Sequence, residues 1–150
     1  ALQAEWQRAR RAGDNFCLVL LDLNGFKPVN DILGHVEGDR VLVKVGRLLE
    51  KKCRASSVVA RYGGDEFIIL VPACDPEAAR QLPPRLAEAM ADDPVLAQRQ
   101  VTGSFGLAVY PDSGATPEEL LRHADADMYR AKQSHHAARG PVLVRNPARW

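Results

Sequence analysis

Apolar residues fall along the chain in blocks whose length and spacing separate strands from helices. Residues 2–12 are rich in Ala, Arg, Gln and Leu and predict a helix, ended by the turn residues Gly13-Asp14-Asn15. Phe16 to Leu21 is an unbroken apolar run, too short to stand as a helix, and predicts a strand buried on both faces. The stretch Asp22 to Lys27 leads into a short helix with Pro28 in its first turn, and Gly34 and Gly38 are expected to bracket a loop. From Asp39, the spacing of Val41, Leu42, Val45, Leu48 and Leu49 predicts an amphipathic helix of about three turns, with Lys51 and Lys52 suited to its C-terminal end. Val58–Tyr62 and Phe67–Val71 read as a hairpin around Gly63-Gly64, where glycine accepts the positive φ of a tight turn. A helix over residues 75–92 is expected to kink or break at Pro83-Pro84, and Val101–Val109 alternates loosely as a strand. Thr116 and Glu119 have capping-box spacing around Pro117, and Leu120, Leu121, Ala124, Met128 and Ala131 share one face of the helix that follows. Val142 to Val144 predicts a short edge strand. The order implies an α+β fold: a central mixed, mainly antiparallel sheet of about five strands covered by helices, related to the ferredoxin-like split βαβ arrangement.

At 150 residues and 46% hydrophobic content the chain is expected to form a single domain spanning 1–150. A formal net charge of +1 argues against a nucleic acid polymer or an anionic membrane as main partner, so phosphate recognition has to be local. Cys17, Cys53 and Cys74 have no metal-ligand or disulfide spacing and read as reduced thiols, Cys17 and Cys74 in or near the core. No stretch is long and apolar enough to cross a bilayer, and no signal peptide opens the chain, so a cytoplasmic domain is expected. The parent protein could still be membrane-anchored. The chain begins inside a helix without Met, which is read as an N-terminal truncation of a longer, multidomain regulatory protein.

Three carboxylates stand where strands meet turns: Asp22 after the first apolar run, and Asp65 with Glu66 at the tip of the hairpin. If those strands are neighbours, the three converge and repel one another unless a cation lies between them, and oxygen ligands suit Mg²⁺. The N–H groups of Gly25, Phe26 and Lys27, with the Lys27 ammonium, open a helix beside Asp22 and offer a seat for phosphate. On these residues alone, a polar hairpin without a ligand explains the carboxylates equally well.

Four ordered motifs carry a family resemblance. Arg61-Tyr62-Gly63-Gly64-Asp65-Glu66-Phe67 and Leu21-Asp22-Leu23-Asn24-Gly25-Phe26-Lys27-Pro28-Val29-Asn30-Asp31 are joined by Gly34-His35-Val36-Glu37-Gly38-Asp39 and by the run Ala124 to Lys132. Together, over roughly residues 14–135, they resemble the GGDEF domains of diguanylate cyclases. The resemblance implies a nucleotidyl-cyclase palm-type fold in which two protomers face each other, each presenting one GTP, to make cyclic di-GMP. It implies Asp22, Asp65 and Glu66 as catalytic carboxylates, and these with the Leu23 carbonyl as ligands to two Mg²⁺ or Mn²⁺ ions. It also implies contacts to GTP from Gly25, Phe26, Lys27, Gly63, Gly64 and Lys132, with Asn30 and a buried Asp39 reading guanine. Asp39 favours GTP over ATP, since a small residue such as Ser is usual where ATP is accepted.

The chain departs from the family pattern at several places. Arg54-Ala55-Ser56-Ser57 stands where an Arg-x-x-Asp product-inhibition site is usual, so that site is expected to be absent. His136 occupies the position of a triphosphate-binding Arg, with Arg139 nearby as a candidate substitute, and Asn24 replaces a frequent Asp. The family's usual opening segment is missing, and a sensory or regulatory domain is expected N-terminal to this chain. The alternative reading is a weak or inactive GGDEF domain that binds GTP and regulates an attached domain.

Overall fold

The unbroken apolar run becomes the central strand of a four-stranded sheet. The computed structural model describes residues 1–143, with side chains described through residue 137. Strand β1 (Phe16–Asn24) follows helix α1 (Leu2–Ala12) and is buried along nearly its whole length. Its side chains divide by the two-residue period of a strand. Cys17, Val19, Leu21 and Leu23 face one core, and Phe16, Leu18 and Leu20 face a second on the other side of the sheet.

After β1 come the short helix α2 (Phe26–Pro28), a π-helical turn (Val29–Leu33) and helix α3 (His35–Lys52). Strands β2 (Val58–Arg61) and β3 (Glu66–Pro72) form the hairpin, followed by helices α4 (Pro76–Asp92) and α5 (Pro94–Gln98). Strand β4 (Thr102–Tyr110) and helix α6 (Pro117–Leu143) complete the described chain. Helices α3 and α4 cover the first core with Val41, Val45, Leu49, Leu82, Leu86 and Met90, while α1 and α6 cover the second with Ala9, Leu120, Ala124 and Met128.

The strand order is β2-β3-β1-β4, and every pairing is antiparallel. This corrects the expected mixed sheet. Each helical crossover joins strands that run parallel but leaves room for a third between them, so β3 enters between β1 and β2, and β1 between β3 and β4. These are two interlocked split βαβ units. The expected fifth strand is also corrected: Val142 and Leu143 are the last residues of α6, and Val144 lies outside the described residues. Helix α6 continues through Gly140 and Pro141 into the positions where a strand was expected.

Three local expectations change as well. Helix α4 is not broken at Pro83-Pro84 but runs through them as one helix, held by its buried face of Ala79, Leu82, Leu86 and Met90. Helix α3 begins at His35 and not after Gly38, because Gly38 is a buried helical residue: a Cβ there would collide with the Asn30 side chain. At the hairpin tip, neither Gly63 nor Gly64 has a φ in the left-handed region. The turn closes instead through Tyr62 N–H donating to the Glu66 carbonyl at 2.8 Å.

Helix α6 is seated on β4 by backbone contact. A Cβ at Gly106 would strike the Ala124 carbonyl oxygen and the Met128 nitrogen, so only glycine lets the helix lie this close. The outer edge of β4 is satisfied at Leu107, whose N–H donates to Asp127 Oδ2 at 2.9 Å and whose carbonyl lies 3.1 Å from His123 Nδ1. Both partners stand on α6, so the helix also blunts an edge strand. Cys17 and Cys74 are buried free thiols and Cys53 is half-buried. No described helix is long and apolar enough to cross a membrane.

Candidate active site

The antiparallel register of β1 and β3 sets Asp22 opposite Glu66, and the Leu23 N–H donates to the Asp65 carbonyl at 3.0 Å. Adjacent strands of opposite direction thereby bring the end of one apolar run to the start of another. One oxygen from each of Asp22, Asp65 and Glu66 lies within 4.8 Å of the other two, and all three residues are half-buried. The neighbourhood expected from sequence is present.

Crowding of like charge in a partly dehydrated place has an electrostatic signature. Burial raises the Asp65 carboxyl above its ordinary value, and the nearby Asp22 charge adds to the rise. Burial likewise raises Glu66, reinforced by Asp22, Asp65 and then Asp125 on α6. One cation opposes this. Lys132, projected from α6, places Nζ 2.9 Å from Asp22 Oδ2 and donates to the Leu23 carbonyl at 3.3 Å. The donor set is all oxygen, clustered and electron-rich, which fits a hard divalent cation.

Among the cavities that adjoin the carboxylates, one of about 230 Å³ touches Glu66 and Asp125, and two touch Asp65. Of the latter two, one of about 410 Å³ gathers Asn30 and Asp39 with Lys27, Arg61, Gly64 and Asp65. The other, about 560 Å³, gathers Gly25, Phe26, Lys27, Lys132 and His136 with Leu23 and Asp65. A wider cleft of about 830 Å³ between α3 and α4 contains Asp39 but none of the three carboxylates, so the donor set and not cleft size locates the site. Asp39 is exposed, a correction to its expected burial: it lies on the solvent side of the second turn of α3, and a bound base itself would have to exclude water from it. Gly63 stays bare beside Glu66, where a Cβ would stand 3.2 Å from Oε2, whereas Gly64 faces open space.

The contacts of several residues were not foreseen. Asn24 is buried at the end of β1, donating to Ser104 Oγ at 3.0 Å and Thr102 Oγ1 at 3.3 Å, so its amide ties β1 to β4. Gln98, Arg99 and Gln100, before β4, wall the larger cavity. Only the pairing of β4 with β1 brings these groups here, and no local motif signals it. Away from the site, Arg54 donates to the Pro72 carbonyl at 3.4 Å, and both Arg54 and Ser57 line a small cavity of about 170 Å³. The Arg139 side chain lies outside the described residues.

The family model described as diguanylate cyclase, GGDEF domain, matches residues 1–138. The chain belongs to the GGDEF family. Among relatives of this GGDEF domain, the bifunctional diguanylate cyclase/cyclic di-GMP phosphodiesterase MucR of Pseudomonas aeruginosa is 38% identical over 133 residues, covering 87% of this chain and 19% of that protein. Diguanylate cyclase DgcP of the same organism is 38% identical over 136 residues, covering 89% and 20%. The chain thus spans about a fifth of the length of these curated relatives. A crystal structure of a sensory box/GGDEF family protein from Caulobacter crescentus superposes with a TM-score of 0.76 at 39% identity, covering 89% of this chain and 88% of that one. The active GGEEF domain of a Vibrio cholerae diguanylate cyclase gives 0.81 at 26% identity, covering 89% and 86%.

Proposed function

We propose that this GGDEF domain is a diguanylate cyclase catalytic domain, condensing two GTP into cyclic di-GMP with release of pyrophosphate. The observation that carries the reading is the convergence of the Asp22, Asp65 and Glu66 oxygens beside the cavity shared by Asn30 and Asp39. In each step the 3′-oxygen of one nucleotide attacks the α-phosphorus of the other, the hydroxyl gives up its proton and pyrophosphate departs. A second step closes the ring. Because each nucleotide is both attacker and target, two protomers face each other as a homodimer.

Asp22, Asp65, Glu66 and the Leu23 carbonyl would hold Mg²⁺ or Mn²⁺, two per site, which when bound neutralise the triphosphate and acidify the attacking hydroxyl. Asn30 and Asp39 orient guanine, whose N1–H and 2-amino group suit a carboxylate acceptor that adenine would leave unpaired. Lys27, Lys132 and the backbone N–H groups of Gly25, Phe26 and Lys27 face the phosphates, and bare Gly63 and Gly64 let the hairpin approach them. With Ser57 in place of a carboxylate, product inhibition through Arg54 is expected to be weak. The domain acts in the cytoplasm under a sensory or regulatory domain N-terminal to it. A domain that binds GTP without turnover is the second reading, favoured by exposed His136 at the cavity where a family member usually has Arg.

The test is Glu66→Gln, which keeps the side-chain shape and removes the charge. Pyrophosphate release from GTP with Mg²⁺ should fall at least about a hundredfold, the size of effect expected when charge stabilisation in the transition state is lost. Unchanged release would overturn the assignment of Glu66 and with it the proposed site.

A further inference from the structure

Lys132 occupies two of the atoms that the proposed reading assigns to a divalent ion. Its ammonium lies 2.9 Å from Asp22 Oδ2 and 3.3 Å from the Leu23 carbonyl oxygen. The pair is neither buried nor loosely solvated, with 27% of the Lys132 side chain and 17% of Asp22 exposed. An ammonium and a divalent cation cannot share these two oxygens, because like charges would stand within a few ångströms in a partly dehydrated site.

A second place for the ammonium is close by. Lys132 also lines the cavity of about 560 Å³ in which Lys27 and Arg99 stand with Asp65 and His136, so a polyphosphate there would meet the Lys27 and Lys132 ammonium groups. The flexible lysine stem can serve either position from one backbone location, because a compact point charge needs no fixed fork geometry. The backbone itself is fixed: α6 is held against β4 at Gly106, Leu107 and Asp127.

Resting on the reading above, we propose that Lys132 stands in for the divalent ion in the nucleotide-free protein, and that the ion enters together with the nucleotide, whose phosphates draw the ammonium off Asp22 and Leu23. Lys132 is in this respect a positioning residue: it keeps the carboxylates gathered without metal and then moves to the substrate. Metal and nucleotide therefore bind with positive coupling, and each tightens the other by the same factor.

The experiment titrates the purified chain with Mn²⁺ alone, read by electron paramagnetic resonance, and repeats the titration with a GTP analogue that cannot react at the α-phosphorus. Without nucleotide, Lys132→Met should bind Mn²⁺ about tenfold tighter than the unaltered chain, within the usual range of site–site coupling. Lys132→Arg, which retains the cation, should stay within about twofold, again on that scale. Lys132→Gln, should the methionine variant fold poorly, keeps a donor for the Leu23 carbonyl and should still bind more tightly. The analogue should tighten Mn²⁺ binding more in the unaltered chain than in Lys132→Met. Adding Asp22→Asn to Lys132→Met should remove the gain, which assigns it to this site. Equal or weaker Mn²⁺ binding by both Lys132→Met and Lys132→Gln overturns the proposal. If Asp22→Asn or Glu66→Gln still abolishes analogue-dependent Mn²⁺ binding in that case, the site reading stands without it. No Mn²⁺ binding in any variant, with or without analogue, overturns both.

Discussion

Replacing Gly106 by Ala adds one methyl group at the place where α6 crosses β4. That methyl would meet the Ala124 carbonyl oxygen and the Met128 nitrogen, both backbone atoms, so no side-chain rotation relieves the clash. Relief requires the helix to lift from the sheet, which pulls Leu120, Ala124 and Met128 out of the second core. Overpacking of a close contact typically costs about 1–3 kcal/mol, and a backbone-to-backbone contact belongs at the upper end, about 3 kcal/mol. For a domain of this size that corresponds to a fall in melting temperature of about 6–12 °C. Urea unfolding followed by circular dichroism measures the loss as a lower midpoint at unchanged slope. Gly64→Ala is the matched control: beyond its two chain neighbours nothing lies within 4 Å of its added Cβ and its φ is not left-handed, so its stability should stay within about 0.5 kcal/mol of the parent. A Gly106→Ala protein as stable as the parent, or a Gly64→Ala protein equally destabilised, would refute the close-approach argument.

Two further predictions concern the site. Asp39→Ser removes the carboxylate that would pair with the guanine edge, so the GTP-to-ATP ratio of kcat/KM should fall at least about tenfold; an unaltered ratio would remove Asp39 from base recognition. The raised pKa values of Asp65 and Glu66 have a definite sign in a pH titration. Without metal the folded protein holds these protons more tightly than the unfolded chain, so this contribution to stability is largest at acid pH. It is lost as pH rises through the ordinary carboxylate value toward the raised folded ones. Mn²⁺ should reverse the trend, and its affinity should fall on acidification at a pH above that expected for exposed carboxylates. A metal-free stability profile identical to that of an Asp65→Asn, Glu66→Gln double variant would contradict it.

Much of this arrangement is legible in the amino-acid sequence, for reasons that differ by element. The run Phe16 to Leu21 announces a central strand because only burial on both faces tolerates so continuous an apolar stretch. Asp22, Asp65 and Glu66 are each visible at strand ends, but their convergence depends on β3 entering the sheet next to β1, which is a property of topology and not of any local window. Glycine misled twice. Gly38 reads as loop punctuation yet lies inside α3 to make room for Asn30, and Gly63-Gly64 reads as a positive-φ turn yet adopts none. Ser104 and Asn24 form a buried polar pair whose partners are about 80 residues apart, a distance at which spacing carries no signal. Lys132 is identifiable as a member of the Ala124–Lys132 motif, but its hold on Asp22 and Leu23 depends on α6 packing against β4 across the sheet.

The central claim is tested most directly by the identity of the product. Incubation of the chain with GTP and Mg²⁺, followed by chromatography and mass spectrometry, should yield cyclic di-GMP with two pyrophosphates per ring, and the linear dinucleotide only as a transient. Tight GTP binding with neither product, persisting when the chain is held as a dimer, would contradict the account.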